Sequence, residues 1–124
     1  MTRQRKLILE IVASSRSHPT AQEIFAAARR EMPAISLGTV YRNLGMLVES
    51  GVLMRISRGT TLPDCFDYPR EPHWHLICDL CGRVRDIPAD RELIRRIEEA
   101  SGEILTSSLL TARCICRRCR ENDE

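Results

Sequence analysis

The stretch HWHLICDLCGRVRD, residues 73–86, packs two of the chain's three histidines and two of its six cysteines into fourteen residues. If residues 74–78 are extended, side chains alternate. His73, His75 and Ile77 then share one face, and Trp74, Leu76 and Cys78 point to the other. A single metal ion does not readily take ligands from both faces of one strand, so the stretch feeds two separate sites.

The first site starts at Cys78-Asp79-Leu80-Cys81-Gly82. A Cys-x-x-Cys followed by glycine is a zinc-knuckle turn, in which glycine lets the backbone bend close to the thiolates. Such a turn needs a second pair, and Cys116 and Cys119 repeat the spacing, with thirty-four residues between the pairs. Together they offer four tetrahedral sulfur ligands at roughly 2.3 Å from a structural Zn2+. A lone pair would be ambiguous with a redox motif, and disulfides are disfavoured in a reducing compartment.

On the other face, His73 and His75 suit a divalent transition metal. Asp67, Asp79 and Asp86 are carboxylates nearby in sequence, and His18 is the remaining histidine. A nitrogen and oxygen donor set without thiolate favours iron or manganese over structural zinc. From spacing alone, His-x-His is equally an exposed polar strand, and His18 an exposed loop residue.

At 124 residues the chain suits one domain, or two small ones stapled by metal. Its aromatic content of 4% makes the expected core mostly aliphatic. No stretch approaches the roughly eighteen apolar residues of a membrane span, and no apolar signal-peptide core follows Met1, so the cytoplasm is the expected location. Residues 1–60 carry nine Lys/Arg against four Asp/Glu, whereas residues 61–124 carry ten against thirteen. A basic first half and an acidic, ligand-rich second half suggest a nucleic-acid module joined to a sensing module.

In chain order, residues 2–13 have Leu7, Ile8, Ile11 and Val12 at helical spacing, with Thr2 as cap. Residues 20–32 form a second helix, with Thr20 and Glu23 at capping-box spacing and Pro33 as the stop. Ser36 caps a third helix ending at Gly51, with Val40, Leu44, Leu47 and Val48 inward. Thr39, Tyr41, Arg42 and Asn43 lie towards its N-terminal half, as groups able to reach DNA. Strands at 52–58 and 65–68 about a Gly59 turn complete a winged helix-turn-helix, whose third helix enters the major groove. The alternative is a plain helical bundle with a hairpin.

Pro69 and Pro72 mark a hinge at 69–72 between a DNA-binding domain, 1–68, and a second domain, 73–124. The second domain is expected to have strands at 75–78 and 83–87, a helix over 90–102 capped by Asp90 and closed by Gly102, and a last strand at 104–112. Leu93, Ile94, Ile97 and Ala100 make that helix's apolar stripe. The result is an α+β protein: a winged helix-turn-helix, then a small α/β unit with one sheet edge free. A unit this small buries little by itself, which favours dimerisation.

The chain resembles the ferric uptake regulator family, and within it the peroxide-sensing repressors. The resemblance is carried by HPTAQEIF from His18, SLGTVYRNLGMLVESGVL from Ser36, FDY from Phe66, the stretch 73–86 and CRRC from Cys116. It implies a metal-dependent repressor that binds pseudo-palindromic double-stranded operator DNA as a homodimer, with an α/β dimerisation domain and no catalytic site. The family's zinc site falls on Cys78, Cys81, Cys116 and Cys119. Its regulatory Fe2+ or Mn2+ site falls on His18, Asp67, His73, His75 and Asp86, which uses all three histidines.

Asp86 matches the aspartate of peroxide sensors, where iron-uptake regulators usually carry glutamate, and no histidine follows His75. The implied mechanism is oxidation of His18 or His73 by hydrogen peroxide at bound Fe(II), releasing DNA. Sensing of iron, manganese or zinc supply is the alternative within the family. An enzyme is a poor fit, since three histidines and two aspartates leave little room for substrate. Tyr41 and Arg42 are the expected base-reading residues, with Ser36 and Thr39 towards phosphate. Arg3, Arg5 and Lys6 either add phosphate contacts or form a solvated basic face. The family commonly has a further helix before the segment that begins here at Thr2. Cys65 and Cys114 are expected to be reduced thiols outside the zinc quartet.

Overall fold

A computed structural model of the chain describes residues 1–69, 73–106 and 110–122. The chain folds as two compact units, Met1–Pro69 and Arg70–Glu124. Residues 70–72, most of the expected hinge, lie outside the described residues.

The first unit holds three helices, α1 (Arg3–Ser14), α2 (Ala21–Glu31) and α3 (Leu37–Glu49), followed by strands β1 (Met54–Ile56) and β2 (Cys65–Asp67). Each helix starts where a side-chain oxygen takes up an orphan backbone N–H: Thr2 for Arg5, Thr20 for Glu23 and Ser36 for Thr39. At α2 the box is reciprocal, with Glu23 accepting from the Thr20 N–H at 3.0 Å. The core is aliphatic apart from Phe66. It joins Ile8 and Val12 of α1, Ile24 and Ala28 of α2, and Val40, Leu44 and Leu47 of α3.

β1 and β2 pair antiparallel as a wing, Met54 opposite Asp67 and Ile56 opposite Cys65. The wing strands are shorter than the expected 52–58 and 65–68. Val52 and Leu53 both donate to the Leu47 carbonyl, so this backbone is still closing α3. Gly51 (φ 81°) permits that turn.

The second unit contains β3 (His73–Cys78), β4 (Val84–Pro88), α4 (Arg91–Ser101), β5 (Thr111–Cys114) and a short α5 (Arg117–Glu121). Its sheet order is β4-β3-β5, with β4 antiparallel and β5 parallel to the central β3. Two outer edges are therefore unpaired among the described residues, not the one expected.

The last strand is Thr111–Cys114 rather than 104–112. Its place is set by long-range pairing, with Cys78 opposite Cys114 and the Asp79 N–H bonded to the Cys114 carbonyl at 2.8 Å. Ile104 is instead 85% exposed, and the Leu105 N–H is taken by the Glu98 carboxylate. Residues 107–109 of the expected strand lie outside the described residues. α5 was not expected.

Asp90 caps α4 and Gly102 closes it at φ 75°, yet no α4 residue is buried, and Leu93 and Ile97 stay 40% and 38% exposed. Among the described residues, the buried apolar side chains of this unit are Trp74, Ile77 and Cys78. No helix among the described residues is long and apolar enough to cross a membrane.

Candidate metal centres

Cys78 ends β3, Cys81 sits in the following turn, and Cys116 and Cys119 open α5. The turn closes through the Gly82 N–H on the Cys78 carbonyl, with Gly82 at φ 75°. The four sulfurs lie within 4.8 Å of one another, with Cys78–Cys119 and Cys81–Cys116 each at 3.8 Å. A tetrahedron of sulfurs at roughly 2.3 Å from zinc has edges of about 3.8 Å, whereas a disulfide needs about 2.05 Å. The thiols are spaced for an ion, and all six cysteines are free.

The backbone favours ionisation at this point. N–H groups of Cys116 and Leu80, each 3.4 Å from the Cys78 sulfur, help hold its thiol down to about 6. Hydrogen bonding to Cys116, with burial and the other thiols, pushes Cys119 up, so the quartet shares protons that a cation would displace. Cys114 is outside the quartet, and burial followed by the neighbouring thiols raises it. Burial likewise raises Cys65, which is enclosed in the first unit.

The histidines and their carboxylates form two further groups. In the first unit, the Phe66 N–H bonds the Pro19 carbonyl at 2.9 Å, and Thr20 bridges to Cys65. This stitches the segment before α2 to β2. It leaves His18 Nδ1 3.4 Å from Asp67 Oδ1, with both side chains nearly buried.

In the second unit, His73 and His75 lie two apart on β3, and His75 faces Asp86 in the β4 register. Their Nε2 atoms are 3.1 Å apart, and Asp86 Oδ1 is 3.4 Å from His75 and 3.9 Å from His73. His75 is only 1% exposed. Two imidazole nitrogens and a carboxylate oxygen converging on one point make a donor set suited to a divalent cation of borderline hardness. Trp74 and Cys78 alternate to the opposite face, as strand geometry requires.

On α3, Ser36 Oγ and Thr39 Oγ1 lie 2.8 Å apart, and the Arg42 guanidinium donates to Thr39 Oγ1 at 3.2 Å. Ser36, Tyr41 and Arg42 are exposed and Thr39 is half-buried. Asn43, grouped with them by its place in the helix, is instead buried. It donates to the Thr39 carbonyl at 2.8 Å and accepts from Arg5 Nε at 3.1 Å. Arg5 also donates to Met46 Sδ, so it ties α1 to α3 rather than pointing at solvent. The signal was in the spacing, because Asn43 continues the inward stripe of Val40, Leu44 and Leu47.

The sequence pattern of the ferric uptake regulator family matches residues 1–111. The peroxide-responsive repressor PerR of Staphylococcus aureus is 31% identical over 123 residues, covering 98% of this chain and 82% of that protein. The peroxide stress regulator of Campylobacter jejuni superposes with a TM-score of 0.78 at 30% identity, covering 94% of this chain and 88% of that one. The Helicobacter pylori ferric uptake regulator superposes with a TM-score of 0.88 at 23% identity, over 100% of this chain and 84% of that one, a likeness of fold. On its sequence pattern and its architecture alike, the chain belongs to the ferric uptake regulator family.

Proposed function

We propose that the protein is a homodimeric, metal-dependent repressor that binds operator DNA in the cytoplasm and leaves it when hydrogen peroxide oxidises a metal-ligand histidine. The observation that carries this reading is the convergence of His73, His75 and Asp86, with His18 and Asp67 forming the matching pair in the DNA-reading unit. The similarity to peroxide-responsive regulators at 30–31% identity supports it.

In this reading Cys78, Cys81, Cys116 and Cys119 hold a structural Zn2+, and their 3.8 Å spacings fit it. His18, Asp67, His73, His75 and Asp86 hold one regulatory Fe2+ or Mn2+. When bound, Fe(II) supplies the electrons that cleave the peroxide O–O bond, a reactivity Mn(II) lacks. The protein's part is to aim the imidazole nitrogens at one point and to make ligation depend on both units at once. Such dependence turns metal affinity into coupling energy for DNA binding. It favours a spacing of the two α3 helices near the roughly 34 Å of one DNA turn. Oxidation of His18 or His73 removes a donor and with it that preference. Tyr41 and Arg42 read bases, while Ser36 and Thr39 meet phosphate.

The test is peptide mass spectrometry on protein loaded anaerobically with Fe(II) or Mn(II) and exposed to dilute hydrogen peroxide. One added oxygen on the His18 or His73 peptide, with iron only, is the expected result. Bound iron without histidine oxidation would make the protein a sensor of metal supply. Oxidation confined to Cys65 or Cys114 would make it a thiol switch.

A further inference from the structure

On the reverse of the sheet from His75 and Asp86, the second unit carries a cleft of about 240 Å³ lined by Arg83, Arg85, Arg117, Arg118 and Arg120. Strand alternation puts it there. His75 faces Asp86 in register, so their neighbours Leu76 and Arg85, also register partners, occupy the opposite face. Cys114, opposite Cys78 across β3 and β5, joins them there. Arg83 enters from the turn, where its carbonyl accepts from the Cys78 N–H at 3.0 Å, and α5 supplies the other three guanidinium groups.

No acidic residue lines this cleft. Outside the cleft, three of the unit's four described arginines are matched by carboxylates, Arg91 being the exception: Arg95 with Glu92 and Glu99, Arg96 with Glu92, and Arg113 with Asp79. None of the five in the cleft has a carboxylate partner among the described residues. Acidic residues outnumber basic ones across residues 61–124, so like charge gathered here is not a by-product of composition.

We propose that this cleft binds a small polyanion bearing two or more phosphate or carboxylate groups. Guanidinium forks bind both groups bidentately, and a concave wall of one sign of charge focuses the field on its occupant. The volume falls below the roughly 300–1,000 Å³ of a drug-sized pocket, which selects an occupant the size of pyrophosphate or a tricarboxylate. A flat basic ridge, rather than a cleft, would suit the backbone of duplex DNA.

Zinc-loaded full-length protein is titrated calorimetrically with inorganic pyrophosphate and, separately, with citrate, while a chromogenic chelator follows zinc release. One saturable site per chain is expected, and the tighter of the two probes identifies the anion class. The Arg85→Ala/Arg118→Ala variant should weaken binding by about tenfold or more, because two charge-assisted forks are lost. Arg85→Lys/Arg118→Lys, which keeps the charge and guards against misfolding, should weaken it less. Arg29→Ala/Arg30→Ala on α2 should leave it unchanged. Absence of saturable heat with both probes overturns the proposal, as does heat that tracks zinc release. An equal loss in the α2 variant overturns it too. If the Arg85/Arg118 variants alter only self-association or duplex binding, the arginines serve a second copy or DNA, and the proposal is wrong.

Discussion

Replacing Cys116 and Cys119 with serine should unfold the second unit and leave the first standing. The two units differ sharply in apolar support. In the second, Trp74 and Ile77 are the large buried apolar side chains among the described residues, at about 1.5–3 kcal/mol each, or about 3–6 kcal/mol together. A four-thiolate zinc contributes about 10–16 kcal/mol at pH 7, several times as much. The first unit has a full cluster drawn from three helices and needs no such staple.

Hydrogen exchange read by mass spectrometry separates the two. Amides of residues 74–78 should exchange like an unstructured peptide in the double variant, while those of 40–47 keep their protection. Acid should act in the same direction. The Cys78 thiol is held down to about 6, so its thiolate is favoured above that pH, and the ligand takes up a proton as pH falls through about 6. Zinc retention should therefore weaken as pH is lowered, because protons compete with the ion for the thiolates. Surviving protection of β3 in the variant would refute the reasoning, because the small apolar core would then suffice. Simultaneous loss of protection in α3 would refute the independence of the units.

Thr20→Ala removes the acceptor for the Glu23 N–H, and at about 1 kcal/mol per cap it should lower the first unit's transition by about 4–8 °C in calorimetry. Arg42→Ala should weaken operator binding, followed by fluorescence anisotropy, by about 1–3 kcal/mol, roughly 5- to 150-fold. A change confined to the salt slope would reassign Arg42 to phosphate. Leu93→Glu with Ile97→Glu charges a face that the chain itself does not bury, so sedimentation should show monomers with unchanged helix content. An unchanged sedimentation coefficient would exclude α4 from the dimer contact.

What could be read from the chain beforehand was what depends on near neighbours. Thr20 with Glu23, Ser36 and Asp90 each announced a helix start, because a cap and its partner lie within three residues. Gly51 and Gly102 announced two ends, because positive φ is cheap only for glycine. The zinc quartet was legible because each pair carries its own turn. β5 was misplaced because apolar composition pointed to 104–112, while the partner that fixes the strand is β3, far back in sequence. α5 is five residues long, too short for a periodicity signal. Asn43 turns inward because its amide is satisfied by Arg5, thirty-eight residues away, a partner that local spacing does not reveal. The arginine cleft needed three elements in register before its residues became neighbours.

The parallel pairing of β3 with β5 bears on how the protein is made. β3 and β4 are joined by a short turn, and such hairpins form in about 1–10 μs, whereas β5 reaches β3 only after a long intervening loop closes. Cys78 and Cys81 therefore stand ready on a finished hairpin while Cys116 and Cys119 are still unrecruited. On the ribosome this interval lasts for as long as the intervening residues take to be synthesised, at about 5–20 per second. Closure of the second unit therefore waits on its last two thiols, and until β5 docks, one edge of β3 stays unpaired.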